Sequence, residues 1–253
     1  MNKTNVYFKS YLKSLNKFSL IAFIIIFILS FVAFIDSIII KDLVKIGLSL
    51  AALILYLVPF ITKYKLKIVL PILLEIIYYL FIFASLILGE VYAFYGPFPW
   101  WDIVLHFLSG FVLAGIGLSI VQIMNKNKSG KFFALLFAFC FSITLGTAWE
   151  CLEFGFDITL RTDAQKDSHL HNISTITMQR DGGNQPVRLD NIESTNIKLA
   201  NGEIITVDEG YLDIGLMDTM KDTLVNFAGA IVFVIFGALN SKATKNFIIA
   251  KSK

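Results

Sequence analysis

Six long apolar stretches dominate the chain, and short polar segments separate them. A helix rises 1.5 Å per residue and the hydrocarbon core of a bilayer is about 30 Å thick, so about 20 apolar residues cross it. Each stretch is that long or nearly so, and the first and last need a flanking turn to span. The pattern predicts spanning helices at 18–35, 43–61, 68–88, 103–124, 132–149 and 223–239.

This pattern predicts an all-α fold: a polytopic transmembrane helix bundle of about six spanning helices, forming one integral membrane domain over residues 1–253. The composition supports it, because 56% of the residues are hydrophobic and 16% are charged, whereas soluble domains carry about a quarter charged residues. The first stretch follows several lysines, as a signal peptide would. Its apolar run exceeds the roughly 7–15 residues of a signal peptide and no A-x-A site follows, so we predict an uncleaved first helix.

Lysines mark four segments that alternate along the predicted topology. They lie before the first helix, between the second and third, between the fourth and fifth, and after the sixth, and none of these segments contains Asp or Glu. An excess of lysine in short loops marks the cytoplasmic side of a membrane. The sequence therefore predicts cytoplasmic N and C termini, with lysines that contact anionic membrane lipids and not nucleic acid.

One connection, residues 158–217, is long and polar. In the predicted topology it lies on the side of the membrane opposite to the four lysine-containing segments. Within it, Asn201-Gly202 separates two short runs that contain Ile, Leu and Val. An Asn-Gly pair between such runs is a strong β-hairpin signal. We therefore expect a small, partly β extracytoplasmic loop that caps the outer ends of the fifth and sixth helices.

Ionisable residues concentrate at the outer ends of the fourth, fifth and sixth predicted helices. Within each cluster the residues are three or four positions apart, so they share one face of a helix. The clusters are Asp102 and His106; Glu150, Glu153 and Asp157; and Asp218, Asp222 and Asn226. Small residues accompany them on all three helices and allow close helix packing. The sequence therefore predicts one polar site shared by the three helices.

Several carboxylates in one small volume repel each other, by several kcal/mol at about 4 Å, unless they are protonated, hydrogen-bonded or neutralised by a cation. A divalent metal satisfies this requirement, and oxygen ligands with one imidazole suit Mg²⁺, Mn²⁺ or Zn²⁺. The expected metal ligands are Asp102, His106, Glu150, Glu153, Asp218 and Asp222. Asn226 and Asp157 are expected to bind the substrate. The alternative is that these acids are ordinary helix-end residues that face water and, in the sixth helix, favour its N-terminus electrostatically.

The motifs around these clusters resemble a known family. They read W-D-I-V-L-H-F at 101–107, W-E-C-L-E-F at 149–154 and D-T-M-K-D-T-L-V-N-F-A-G-A at 218–230. Their order and spacing resemble the YjdF-like bacterial inner-membrane family of unknown function. More remotely, they are similar to the VanZ-like family linked to teicoplanin resistance, which commonly has Gln where Glu153 stands here. The resemblance implies a bacterial plasma (inner) membrane and a shared polar site, and it implies no substrate.

Three functions fit this interpretation of the sequence, which leaves open whether the protein is an enzyme. The first is an envelope protein that binds a divalent metal and acts on, or recognises, a lipid-linked or cell-wall substrate. The second is a small cation or proton transporter, in which Glu75, interpreted as lying mid-way along the third helix, would relay protons; otherwise Glu75 is a protonated acid bonded to a Ser or Tyr on a neighbouring helix. The third is a structural membrane protein.

Overall fold

The structure is a computed structural model that describes residues 17–65, 68–124, 129–179, 181–239 and 250–251. Within these residues, six helical spans are long and apolar enough to cross a membrane, which confirms the predicted architecture. They are Lys17–Ile39, Leu43–Tyr64, Ile72–Val91, Trp100–Met124, Lys131–Leu160 and Leu216–Leu239. Many of the lysines behind the orientation prediction lie outside the described residues: Lys3, Lys9, Lys13, Lys67, Lys126, Lys128, Lys242, Lys245 and Lys253.

The first two spans contain three helices: α1 (Lys17–Ile39), α2 (Leu43–Leu55) and α3 (Val58–Tyr64). The side chain of Asp42 begins α2 by accepting the backbone N–H groups of the first turn, which no residue within the helix can satisfy. Pro59 lies in the first turn of α3, where its missing N–H costs no hydrogen bond. The second span is therefore divided by a short turn.

The third span begins as α4 (Ile72–Ile82) and continues as a π-helix, Phe83–Val91. Because Pro71 caps α4, the helix begins at Ile72, not at position 68, and Glu75 lies in its first turn. The mid-helix position predicted for Glu75 was therefore wrong. Its side chain is buried, and its Oε2 accepts a hydrogen bond of 2.8 Å from Ser19 Oγ, so the predicted Ser contact on a neighbouring helix is confirmed.

The last three spans are single helices: α5 (Trp100–Met124), α6 (Lys131–Leu160) and α7 (Leu216–Leu239). Two of them extend beyond their apolar stretches, since α6 does not end at position 149 and α7 does not begin at position 223. Helical hydrogen bonds join backbone groups and do not require apolar side chains. The acidic clusters of both helices are consequently helical, as their spacing predicted.

The long connection is partly β, as predicted, and its strands pair antiparallel in two-stranded sheets. Strands Thr195–Lys198 (β5) and Ile204–Val207 (β6) form the predicted hairpin, in register from Thr195 opposite Val207 to Lys198 opposite Ile204. Gly202 in its turn has φ of +89°, a conformation that glycine adopts without strain. The other described strands are Ile68–Val69 (β1) with Ala250–Lys251 (β8), Ser168–Leu170 (β2) with Tyr211–Asp213 (β7), and Ile173–Thr175 (β3) with Val187–Leu189 (β4).

The chain divides into two compact units. The larger comprises Met1–Gly146 and Leu224–Lys253, and the smaller comprises Thr147–Thr223. Buried apolar residues of the larger unit form two clusters. One contains Phe23, Ile26, Ala33, Ala52, Tyr56, Tyr79, Ile87 and Val91, and the other contains Ala114, Leu118, Val121, Ala134, Leu135, Ala138, Ala230 and Phe233. Many large apolar side chains of the spans are exposed, as expected where lipid replaces water as the solvent.

Candidate functional site

In the larger unit, α5 and α7 cross so closely that their backbones touch. A Cβ atom added to Gly110 would lie 2.1 Å from the backbone oxygen of Asn226. A Cβ added to Gly229 would lie 2.1 Å from the backbone oxygen of Phe107. Real Cβ atoms do not approach backbone oxygens so closely, so this crossing requires glycine at both positions. The close packing predicted from the small residues of these helices is confirmed here.

Helix α6 joins the same crossing through two contacts. A Cβ added to Gly146 would lie 2.7 Å from both Cγ and Oδ1 of Asn226. The buried hydroxyl of Ser142 donates a hydrogen bond of 2.8 Å to the backbone oxygen of Gly110. Three helices therefore meet around one polar side chain, that of Asn226.

The side chain of Asn226 is 2% exposed and takes part in a directed chain of hydrogen bonds. Its Nδ2 donates to Ser109 Oγ over 3.0 Å, and that hydroxyl donates to the backbone oxygen of His106 over 2.8 Å. Within the described residues, Asn226 Oδ1 is buried and accepts no hydrogen bond. A buried polar atom without a partner is rare in native structures and needs an explanation.

One turn nearer the start of α5, Asp102 and His106 form the predicted pair on one helix face. His106 Nε2 lies 3.4 Å from Asp102 Oδ1, and both side chains are partly exposed. Trp101 fixes the start of this helix, because its Nε1 donates to the backbone oxygen of Ala84 in the π-helical segment over 3.0 Å. A carboxylate and an imidazole are thus held side by side, in a geometry that suits proton exchange or metal ligation.

In the smaller unit, two of the predicted ligands are deeply buried. Glu150 is 5% exposed and Asp222 is 1% exposed. Glu150 lies one turn after Gly146 along α6, and Asp222 lies one turn before Asn226 along α7, so each shares a helix face with that residue. Burial of carboxylates is costly unless they are paired or bind a cation, so these two acids are not ordinary water-facing helix-end residues.

Two further acids of the predicted site, Glu153 and Asp218, accept hydrogen bonds within the smaller unit. Glu153 Oε1 accepts a hydrogen bond of 2.8 Å from Trp149 Nε1, one turn earlier on α6. Asp218 Oδ2 accepts the backbone N–H of Lys166 over 2.8 Å. Asp218 therefore connects the start of α7 to the first residues of the long loop.

Asp157 makes three hydrogen bonds to the residues that follow α6. Its Oδ1 accepts from Ala164 N over 2.6 Å and from Thr162 Oγ1 over 2.8 Å. Its Oδ2 accepts from Gln165 N over 2.9 Å, and Gln165 Nε2 in turn donates to Thr219 Oγ1 on α7. These contacts give Asp157 a structural role in the loop, and its predicted role in substrate binding stays a prediction without support from them.

A chain with six helices able to cross a membrane is a polytopic membrane protein. Over residues 18–243 it matches the family described as predicted membrane protein (DUF2238), and it belongs to that family. This membership agrees with the resemblance to the YjdF-like membrane proteins, whereas the similarity to the VanZ-like family stays a prediction. No curated protein and no solved structure matches the chain.

Proposed function

We propose that the outer ends of α5, α6 and α7 form one divalent-metal site in a bacterial inner-membrane protein that acts on, or recognises, a lipid-linked or cell-wall substrate. This proposal rests on the alignment of the three helices, which meet at one level and each have an ionisable residue one turn from that level. Gly110 of α5 and Gly146 of α6 both meet Asn226 of α7. One turn from these contacts, on the same helix faces and toward the same side of the predicted membrane, each helix carries an ionisable residue: His106, Glu150 and Asp222.

The ligand chemistry of these residues suits a hard or borderline divalent ion. Asp102, His106 and Asp222 offer two carboxylate oxygens and one imidazole nitrogen, and Glu150 adds a third carboxylate. Such a set fits Mg²⁺ or Mn²⁺ best and also permits Zn²⁺. One ion would offset the cost of burying several carboxylates together. The remaining predicted ligands, Glu153 and Asp218, each already accept a hydrogen bond from the protein.

The transporter hypothesis depended on the predicted position of Glu75 in the middle of the third helix, and that position was wrong. A carrier needs an ionisable group near the middle of the membrane. Glu75 was the candidate for that role, but it lies in the first turn of α4 and contacts Ser19. The metal hypothesis therefore explains more of the buried acids than the transporter hypothesis does.

A melting experiment on the full chain in detergent tests the metal site. Mn²⁺ or Mg²⁺ at about a hundredfold excess over its Kd should stabilise the protein by about 2.7 kcal/mol. Asp222→Asn and His106→Ala should lose this increment, whereas Glu193→Gln, at an exposed position of the loop, should keep it. If no divalent ion raises the wild-type midpoint, or if all the variants respond as the wild type does, the metal site does not exist.

The proposed orientation is tested by labelling in intact cells. Cys140 and Cys151 are free and exposed, so they are first replaced by Ser to remove background reaction. A single Cys at Asn201, in the exposed turn of the β5–β6 hairpin, should react with an impermeant thiol reagent, and one at Lys65 should not. Reaction at Lys65 with protection at Asn201 would invert the proposed topology.

A further inference from the structure

The hydrogen bonds around Asn226 have a defined direction. The backbone oxygen of His106 can only accept, so Ser109 must use its one hydroxyl hydrogen in the bond to that oxygen. Toward Asn226, Ser109 can therefore only accept, and the carboxamide must present Nδ2, its donor. This arrangement assigns the nitrogen and oxygen of the amide by chemistry.

The plane of the carboxamide is also fixed. A Cβ added to Gly146 would lie 2.7 Å from Cγ, 2.7 Å from Oδ1 and 2.9 Å from Nδ2 of Asn226. Three nearly equal distances mean that this Cβ would sit over the flat face of the amide. Gly146 therefore leaves room for that face, while Ser109 holds the nitrogen edge. Oδ1 forms the remaining polar edge, which is buried and accepts no hydrogen bond within the described residues.

We infer that Ser109 is a positioning residue that directs the Asn226 oxygen toward the ligand. The ligand that this oxygen meets is a hydrated divalent cation. This inference rests on the proposed function. An amide oxygen is a good ligand for Mg²⁺, Mn²⁺ or a water molecule bound to them. It repels the oxygen of a phosphate or carboxylate, which would need the Nδ2 donor that Ser109 already holds. Ser109 thereby selects cations over anions.

Mn²⁺ titration of the full chain in detergent tests this role, with Ser142→Ala as the matched control. Ser142→Ala also removes a buried hydrogen bond to a backbone oxygen in the same crossing, but the Ser142 hydroxyl donates to Gly110 and not to the Asn226 amide. Ser109→Ala removes the acceptor for Nδ2 and lets the amide reverse. Loss of such a supporting contact typically lowers metal affinity about 10–100-fold, so the Kd for Mn²⁺ should rise about tenfold or more in Ser109→Ala and stay near the wild-type value in Ser142→Ala.

Inorganic phosphate serves as the anion probe, and it should leave the wild-type melting midpoint unchanged. If Ser109→Ala binds Mn²⁺ as tightly as the wild type, or if Ser142→Ala weakens binding equally, Ser109 has no positioning role although the metal site stands. A phosphate-induced rise in the midpoint that Ser109→Ala abolishes would overturn the choice of cation over anion. Should Ser109→Ala fail to fold, Ser109→Cys, which keeps a weaker donor and acceptor, takes its place with the same expectations. A wild type that binds no Mn²⁺ would instead overturn the proposed function itself, and this inference with it.

Discussion

Replacing Gly229 by Ala should strongly destabilise the protein. The new methyl group would lie 2.1 Å from the backbone oxygen of Phe107 and 3.0 Å from the backbone nitrogen of Phe111. Neither atom can move without moving α5, so the two helices must separate. Overpacking typically costs about 1–3 kcal/mol and occasionally more, and a clash with backbone belongs at the upper end. Gly110→Ala should behave alike, because its methyl group would meet the backbone oxygen of Asn226.

The matched control for these variants is Gly155→Ala, also within a helix. A Cβ at Gly155 would meet nothing within 4 Å, and Ala is favoured over Gly inside helices by about 0.5–1 kcal/mol. Gly155→Ala should therefore be neutral or slightly stabilising. The measurement is the melting midpoint in detergent, together with the amount of folded protein that accumulates. Equal midpoints for Gly229→Ala and Gly155→Ala would show that α5 and α7 do not touch at this crossing.

The sequence predicted the spans well because lipid imposes a simple rule on them. Every backbone polar group within a bilayer must be satisfied internally, which makes a long apolar stretch a helix. The same rule does not determine where a helix ends in water. The predicted end of α6 was therefore too early and the predicted start of α7 too late. It also does not distinguish α from π hydrogen bonding, and the π-helix at Phe83–Val91 was not predicted.

The wrong position predicted for Glu75 has one cause, the proline at position 71. The apolar stretch begins near position 68, which placed Glu75 mid-way along the helix. The helix begins only after Pro71, at Ile72, because proline fixes φ and has no N–H to donate to a preceding turn. The neighbouring helix then brings Ser19 to the carboxylate, a contact that depends on the packing of α1 and not on local sequence.

The sequence predicted which acids lie near the candidate site, but it did not predict which of them are buried and which bind the loop. Spacing along each helix identified Glu150, Asp157, Asp218 and Asp222 alike. Burial separates Glu150 and Asp222 from the others, whereas Asp157 and Asp218 bind backbone N–H groups of the loop. That difference depends on how the loop folds back onto the helix ends. Ser109 is one of the small residues that accompany the clusters, and nothing in the sequence assigned it a further role, because its hydrogen bond to Asn226 exists only once α5 and α7 are packed.

Replacing Asp157 by Ala should unfold the beginning of the long loop. The carboxylate accepts three hydrogen bonds from Thr162, Ala164 and Gln165. Hydrogen bonds to a charged group contribute about 1.5–3 kcal/mol each, and Gln165 is buried, so its N–H gains little from water in compensation. Because water can replace part of these contacts, we expect a net local loss of about 2–4 kcal/mol. Asp157→Asn should be intermediate, since it keeps one acceptor oxygen.

Hydrogen exchange followed by mass spectrometry measures this local loss, with Asp163→Ala as the control in the same segment. Burial and, secondly, the charge of Asp163 raise the pKa of Asp167, so removing Asp163 relieves a repulsion and should be neutral or slightly stabilising. In Asp157→Ala, backbone amides of residues 162–166 should exchange about 30–1000 times faster, the factor that corresponds to about 2–4 kcal/mol of local opening. Amides within α5 should keep wild-type rates. Unchanged exchange in residues 162–166 would mean that Asp157 does not stabilise the loop. Substrate binding, the role predicted from the sequence, would then be the explanation left for Asp157.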